Sequence, residues 1–174
     1  MDESNFKALK NYLFPKKIAA GLLPLGAVFL VFAVIGGHSY AGLAAIFGLP
    51  GIIMIACGGY FIGAYKKLIW DIESRGEVNS ILRDFNDGRR AFDDNLIIGE
   101  KWLIGKGYGC AVRYGDIKSV RQNISKYKGH ENRTLTAVYK NDTAHVLCRL
   151  KSGGKSDAEF EQAESEISRR ILNN

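Results

Sequence analysis

The chain has 174 residues, with 24 Lys and Arg against 18 Asp and Glu and a formal net charge of +6. Its three cysteines, Cys57, Cys110 and Cys148, form no CxxC pair and no Cys/His cluster, so a disulfide framework and a zinc signature are both absent and the usage fits a reducing compartment. The positive charge is spread along the chain rather than gathered into a dense basic stripe, which argues against a nucleic-acid partner.

A mean hydropathy near zero conceals two unlike halves. Between Ile18 and Tyr65 there is no Asp, Glu, Lys or Arg, and every charge lies outside that block. So sharp a change of composition marks a domain boundary. The polar part, from about Asp87 onward, is long enough for one small domain with its own core and too short for a large nucleotide-binding sheet.

In chain order, NFKALKNYLF comes first. It places Phe6, Leu9 and Leu13 on one helical face, which suits either a short interfacial helix or a cytoplasmic extension of the segment that follows. The apolar block is next. A bilayer span needs about 20 apolar residues to cross about 30 Å of hydrocarbon, and the block holds about 48, enough for two. GGHSYAG, Gly36 to Gly42, breaks it with paired glycines and polar side chains, giving spans over 18–35 and 43–65. Neither span carries the polar stripe of an ordinary core helix. Both are expected to be helical throughout, since unpaired backbone groups are not tolerated in lipid, with Pro24 and Pro50 bending them. A cleaved signal is disfavoured despite the small-x-small Ser39-Tyr40-Ala41. The first run is too long, and a second follows at once.

Lys7, Lys10, Lys16 and Lys17 precede the first span, and Lys66, Lys67 and Arg75 follow the second, whereas the turn between has no Lys or Arg. The positive-inside rule then puts both termini in the cytoplasm. Tyr12, Tyr40, Tyr65 and Trp70 fall where an aromatic belt would lie. Gly59 and Gly63 form a GxxxG pair, with Gly21 and Gly26 on the first span, and packing within the hairpin is their expected use ahead of dimerisation.

IWDIESRGEVNSILRDF reads as a helical linker with Ile72, Val78, Ile81, Leu82 and Phe85 at helical spacing, weakened at Gly76. From Asn95 the period shortens. NLIIGEKWLIGKG predicts two strands about a Gly99-Glu100 turn, CAVRYGDI and SVRQNISKY continue in short runs, and RTLTAVYK and TAHVLCRL flank a two-residue hairpin signal at Asn141-Asp142. With no proline after Pro50, nothing interrupts these ladders. The period changes again at the end, where Ser156 and Glu159 form a capping box and Phe160, Ala163, Ile167 and Ile171 make an apolar stripe. Six or seven antiparallel strands followed by one amphipathic helix are expected.

The opening DDNLIIGEKWLIGKG, the strand-ending RYGDIKSV with Asp116-Ile117, and the closing capped helix resemble the bacterial pleckstrin-homology-like (PH-like) domains attached to membrane hairpins. The resemblance covers about Phe92 to Leu172 and is one of pattern and architecture. It implies a partly open antiparallel β-barrel or sandwich plugged by the C-terminal helix. Phosphoinositide binding does not follow, because fold does not carry function.

Several local signals have plainer accounts. SGGKSD, Ser152 to Asp157, ends like a P-loop but has Arg149 where the first glycine is needed, so it reads as a glycine turn before a helix. GKGYGCAV, Gly105 to Val112, is one residue short of a kinase glycine loop and reads as a hairpin turn. His38, His130 and His145 are far apart and lack matched carboxylates, and Asp93-Asp94 reads as the start of a turn. Asn123, Asn132 and Asn141 head glycosylation sequons that a cytoplasmic domain would not use.

The expected organisation is an N-terminal cytoplasmic or interfacial segment (1–17), a two-helix transmembrane hairpin (18–65), a helical linker (66–91) and a PH-like α+β cytoplasmic domain (92–174). The expected role is non-enzymatic: a multi-pass cell-membrane protein serving as a membrane-anchored binding or scaffolding module. The alternative is a small accessory subunit of a transport or secretion complex. Its partners are the lipid bilayer and either a protein or a second copy of itself, with no nucleic acid, small-molecule substrate, cofactor, metal or catalytic residue implied. Lys126, Lys128 and Arg133 of one basic loop, with Lys16, Lys17, Lys66 and Lys67 at the hairpin ends, are the candidate contacts to anionic headgroups.

Overall fold

The computed structural model describes residues 3–38, 40–107, 110–127, 130–151 and 154–173. They form two compact units. One is Pro15–Lys67, and the other joins Met1–Phe14 to Leu68–Asn174.

The first unit is an antiparallel pair of helices. α2 (Lys16–Gly37) and the first part of α3 (Ala41–Ser74) are both long and apolar enough to cross a membrane by length and composition. Pro24 and Pro50 lie inside them. The helices pack closely where Gly26 faces Gly51. A Cβ on Gly26 would stand 3.0 Å from the Gly51 carbonyl oxygen and 2.8 Å from Ile55, so only glycine permits this separation. Phe47 packs against Phe29 and Phe32 farther along. The expected use of the GxxxG pair is not observed. Positions 59 and 63, like Gly21, face open space, and Gly26, Gly51 and Gly58 carry the packing instead.

The second unit begins with α1 (Glu3–Leu13). Its apolar face is buried in protein: Leu9 and Leu13 are fully covered and Phe6 nearly so. This corrects the interfacial-helix expectation. Tyr12 is likewise no belt residue. Its ring meets Phe85 edge-on and its hydroxyl donates to the Asp94 carbonyl at 2.9 Å. Full burial stabilises each leucine by about 1.5–3 kcal/mol, enough to draw α1 onto the domain. α3 continues to Ser74, ends at Gly76 (φ +69°), and is followed by α4 (Val78–Asp87).

Residues 89–91, expected in the helical linker, form a strand. β1 (Arg89–Ala91), β2 (Leu96–Ile98), β3 (Trp102–Gly105) and β4 (Cys110–Arg113) make one antiparallel sheet in sequence order. A three-residue run was too short to show a period of two. After a 3₁₀ turn at Tyr114–Asp116, β5 (Ile117–Tyr127), β6 (His130–Tyr139) and β7 (Ala144–Lys151) make a second. The β6–β7 turn is longer than two residues. The Tyr139 N–H donates to the Thr143 carbonyl, and Asp142 takes a left-handed φ of +62°. That geometry is the three-residue alternative to a primed two-residue turn.

α5 (Gly154–Leu172) closes the domain. Phe160, Ala163 and Ile167 are fully buried among side chains of both sheets, including Leu96, Leu103, Leu135 and Leu147, and Ile171 packs at the margin, as the apolar stripe predicts. The Ser156 side chain, half of the expected capping box, lies outside the described residues. The helix starts two residues before Ser156, and the Glu159 carboxylate reaches out of the helix to accept the Phe92 N–H at 2.8 Å. That bond secures an unusual turn. Phe92, Asp93 and Asp94 have φ of +58°, +52° and +65°, three successive non-glycine residues in the left-handed region. Each costs about 1–2 kcal/mol. Burial of Phe92 against Phe160, at 4.9 Å between ring centroids, opposes that cost, as do the bonds to Glu159 and Tyr12.

Candidate functional site

Three places in the second unit gather polar chemistry. One is a cleft of about 570 Å³ between α4, the β2–β3 turn and α5. Three arginines border it, and each has a partner. Arg89 and Arg170 both reach the Glu166 carboxylate at 2.8 Å, Arg170 also donates to the Gly99 carbonyl at 2.7 Å, and Arg83 meets Glu100 at 2.6 Å. Burial favours the neutral acid at Glu166, but the two guanidiniums outweigh it and hold the pKa below the ordinary glutamate range. Asp84, 2% exposed, accepts the N–H groups of Lys101 at 2.6 Å and Trp102 at 2.8 Å. A Cβ on Gly99 would meet that carboxylate at 2.5 Å, so glycine is required there. These bonds tie α4, the turn and α5 together, and the cleft is their by-product.

The second place is the Asp94 turn. Burial would raise the Asp94 pKa, but bonds from Lys106, at 2.9 Å, and from Arg90 lower it overall. The pair Asp93-Asp94 thus lies in a turn, as the sequence predicts, and its second member secures that turn.

The third is β5, at 11 residues the longest strand, with the tip of the β5–β6 hairpin. Ile117–Tyr127 contains Lys118, Arg121 and Lys126 and no carboxylate. β5 lies at the end of its sheet, is paired with β6 alone among the described strands, and has α5 packed against it. Val120, Gln122 and Ile124 stand opposite Ala137, Leu135 and Arg133, so they share the core-facing side, while Arg121 and Asn123 point the other way. Ile124 is nonetheless 53% exposed. Arg121 is exposed, as is Arg149 on β7, and neither has an ion-pair partner among the described residues. Lys118 pairs with Asp142 at 2.7 Å, an exposed contact of the kind worth little.

The predicted headgroup contacts are not gathered into one basic loop. Lys126 is exposed, with Glu131 at 3.8 Å. Arg133 turns inward, 16% exposed, between Asp157 at 3.2 Å and Glu131 at 3.5 Å. Lys128 lies outside the described residues. Lys16, Lys17, Lys66 and Lys67 are exposed at the ends of the apolar hairpin. His145 packs edge-on against Tyr139, and the side chain of His130 lies outside the described set. Burial pushes the thiols of Cys110 and Cys148 up to about 12, leaving them as small hydrophobes. Among the described residues no cluster of three His, Cys, Asp or Glu is placed to hold a metal ion.

No protein-family model, curated protein or solved structure matches the chain. In the sequence the cations of the hairpin tip stand out, whereas Arg121 and Asp84 do not. The cationic, carboxylate-free composition of β5 was visible, but its place at a sheet edge was not.

Proposed function

We propose that this chain is a non-enzymatic, membrane-anchored docking module. Its hairpin spans a bilayer twice, and a PH-like domain on the cytoplasmic side recruits a protein partner. The observation that carries the reading is the composition of the second unit. The segment before the hairpin, up to Phe14, and the segment after it, from Leu68, fold into one polar body. Lys10 of α1 bridges to Glu73 at the end of α3 at 2.9 Å, and the Tyr12 carbonyl accepts the Gly107 N–H at 2.9 Å. Because one folded body cannot straddle a bilayer, this supports placing both flanks of the hairpin on one side, and the lysine count supports the cytoplasmic side.

The PH-like part of the reading is supported by the order of elements: four antiparallel strands, then three, then a helix whose apolar stripe enters the core between them. One observation favours the accessory-subunit alternative. Gly59 and Gly63 face open space, leaving a small-residue surface on α3 for another helix.

Reporter fusions test the topology. Positions after Lys17 and after the C-terminal residue should report inside, and the Gly36–Gly42 turn outside. An external C-terminus sinks the proposal. Photocrosslinking from the domain surface in native membranes tests recruitment, and a domain that captures no protein from any surface position leaves only the hairpin-contact alternative.

A further inference from the structure

We infer that the free edge of β5 accepts an extended, acidic segment of a partner protein as an additional antiparallel strand. The inference rests on the docking-module reading and names the partner's chemistry.

An edge strand presents unpaired N–H and C=O groups at every second residue, and an incoming strand satisfies them in register. β5 is long enough for this, and Lys118, Arg121, Asn123, Ile124, Ser125 and Lys126 are all exposed. Its two faces set the side-chain pattern of the guest. Beside Val120 and Ile124 the guest needs apolar residues, because Ile124 leaves apolar surface in water. Beside Arg121 it needs a carboxylate, because that guanidinium has no ion-pair partner among the described residues and β5 itself carries no acid. Residues of opposite charge on neighbouring strands attract, and like charges directly opposite repel. The guest therefore alternates acidic and β-branched residues.

The same charges argue against a second copy of this chain as the occupant. In the fully overlapped antiparallel register, centred on Gln122, Lys118 of each copy would face Lys126 of the other. Arg121 would face Asn123, gaining no counter-charge.

The test uses the full chain in phosphatidylcholine nanodiscs and, as probe, an acetylated octapeptide of alternating Glu and Val. Amide exchange is followed across 117–127. The expected result is slowed exchange in β5 on adding the peptide, none with an alternating Lys/Val peptide, and none when alternate peptide nitrogens are methylated. Arg121→Glu should weaken binding about tenfold or more, and Arg121→Lys should preserve most of it. Failure of the Glu/Val peptide to bind, or binding that leaves β5 exchange unchanged, overturns the inference. Protection that rises with protein concentration alone assigns the edge to a second copy and overturns it. Salt-sensitive protection by phosphatidylglycerol nanodiscs without peptide assigns the cations to headgroups and overturns it as well. Photocrosslinkers at Asn123 and at Lys101 separate this failure from that of the parent reading. Protein crosslinks at Lys101 alone remove the edge and keep the docking module, and crosslinks at neither remove both.

Discussion

Asp84→Ala tests the junction that holds α4 to the first sheet. The carboxylate is 2% exposed, and its Oδ2 alone accepts two backbone donors, Lys101 N at 2.6 Å and Trp102 N at 2.8 Å. Alanine leaves both donors without an acceptor. The Trp102 N–H lies in the interior and cannot turn to water, so its loss costs about 1–3 kcal/mol, and the partly exposed Lys101 N–H adds less. Both bonds are charge-assisted, which moves the sum toward the upper end, while relief of a buried carboxylate offsets part of it. The expected destabilisation is about 2–4 kcal/mol, a large share of a typical domain stability of about 5–15 kcal/mol. Asp84→Asn keeps an oxygen in place and should cost about 1–2 kcal/mol. Urea denaturation of the full chain in mild detergent measures both, followed by fluorescence of Trp102, whose indole donates to Ser80 at 3.3 Å. Hydrogen exchange at the Trp102 amide reports the local bond. A cost below about 0.5 kcal/mol with unchanged exchange would show that the N–H groups find other acceptors and that the junction is not held this way.

Other outcomes follow from the same packing. Phe160→Ala, removing a fully buried ring packed against Phe92, should cost about 3–5 kcal/mol by denaturation, and a cost under about 0.5 kcal/mol would mean α5 does not fill the core. The depressed Glu166 pKa gives a stability term present above the ordinary value of 4.5 and lost as pH falls through the lower folded value; Glu166→Gln should flatten that part of a Tm-against-pH curve. A chimaera joining residues 1–14 to 68–174 through a Gly/Ser linker should fold cooperatively without detergent, and a fragment from Asn86 onward, lacking α1 and α4, should be markedly less stable; equal stability would show that α1 only rests on the domain. Cys110 and Cys148 should resist iodoacetamide at about pH 8 until the domain unfolds, as followed by intact mass.

Much of the architecture could be read along the chain because it rests on local periodicity. The uncharged block specified two long apolar helices, since a helix pairs its backbone groups within its own segment. The shift from period 3.6 to period 2 near Asn95, and back before Phe160, located the strands and the closing helix. The stripe of Phe160, Ala163 and Ile167 was core both in the pattern and in the fold.

Where the partner of a residue is distant in sequence, periodicity carried no information. Phe6, Leu9 and Leu13 form the same stripe whether they meet lipid or protein. Only the tertiary structure supplies α4 and the turn after β3 as their cover, and with them a tie between the two flanks of the hairpin. Glu159 looked like a cap because a cap is the nearest acceptor site along the chain, but the left-handed turn at Phe92 brings a distant N–H to it. Arg133 counted as a loop cation until Asp157 drew it inward, while Arg121, which has no ion-pair partner among the described residues, stayed exposed. Charge and hydropathy are properties of residues, so the sequence determined where the membrane-like segment lies. Which cations are neutralised and which strand edge stays open depend on contacts between elements far apart in the chain, and those were decided only by the fold.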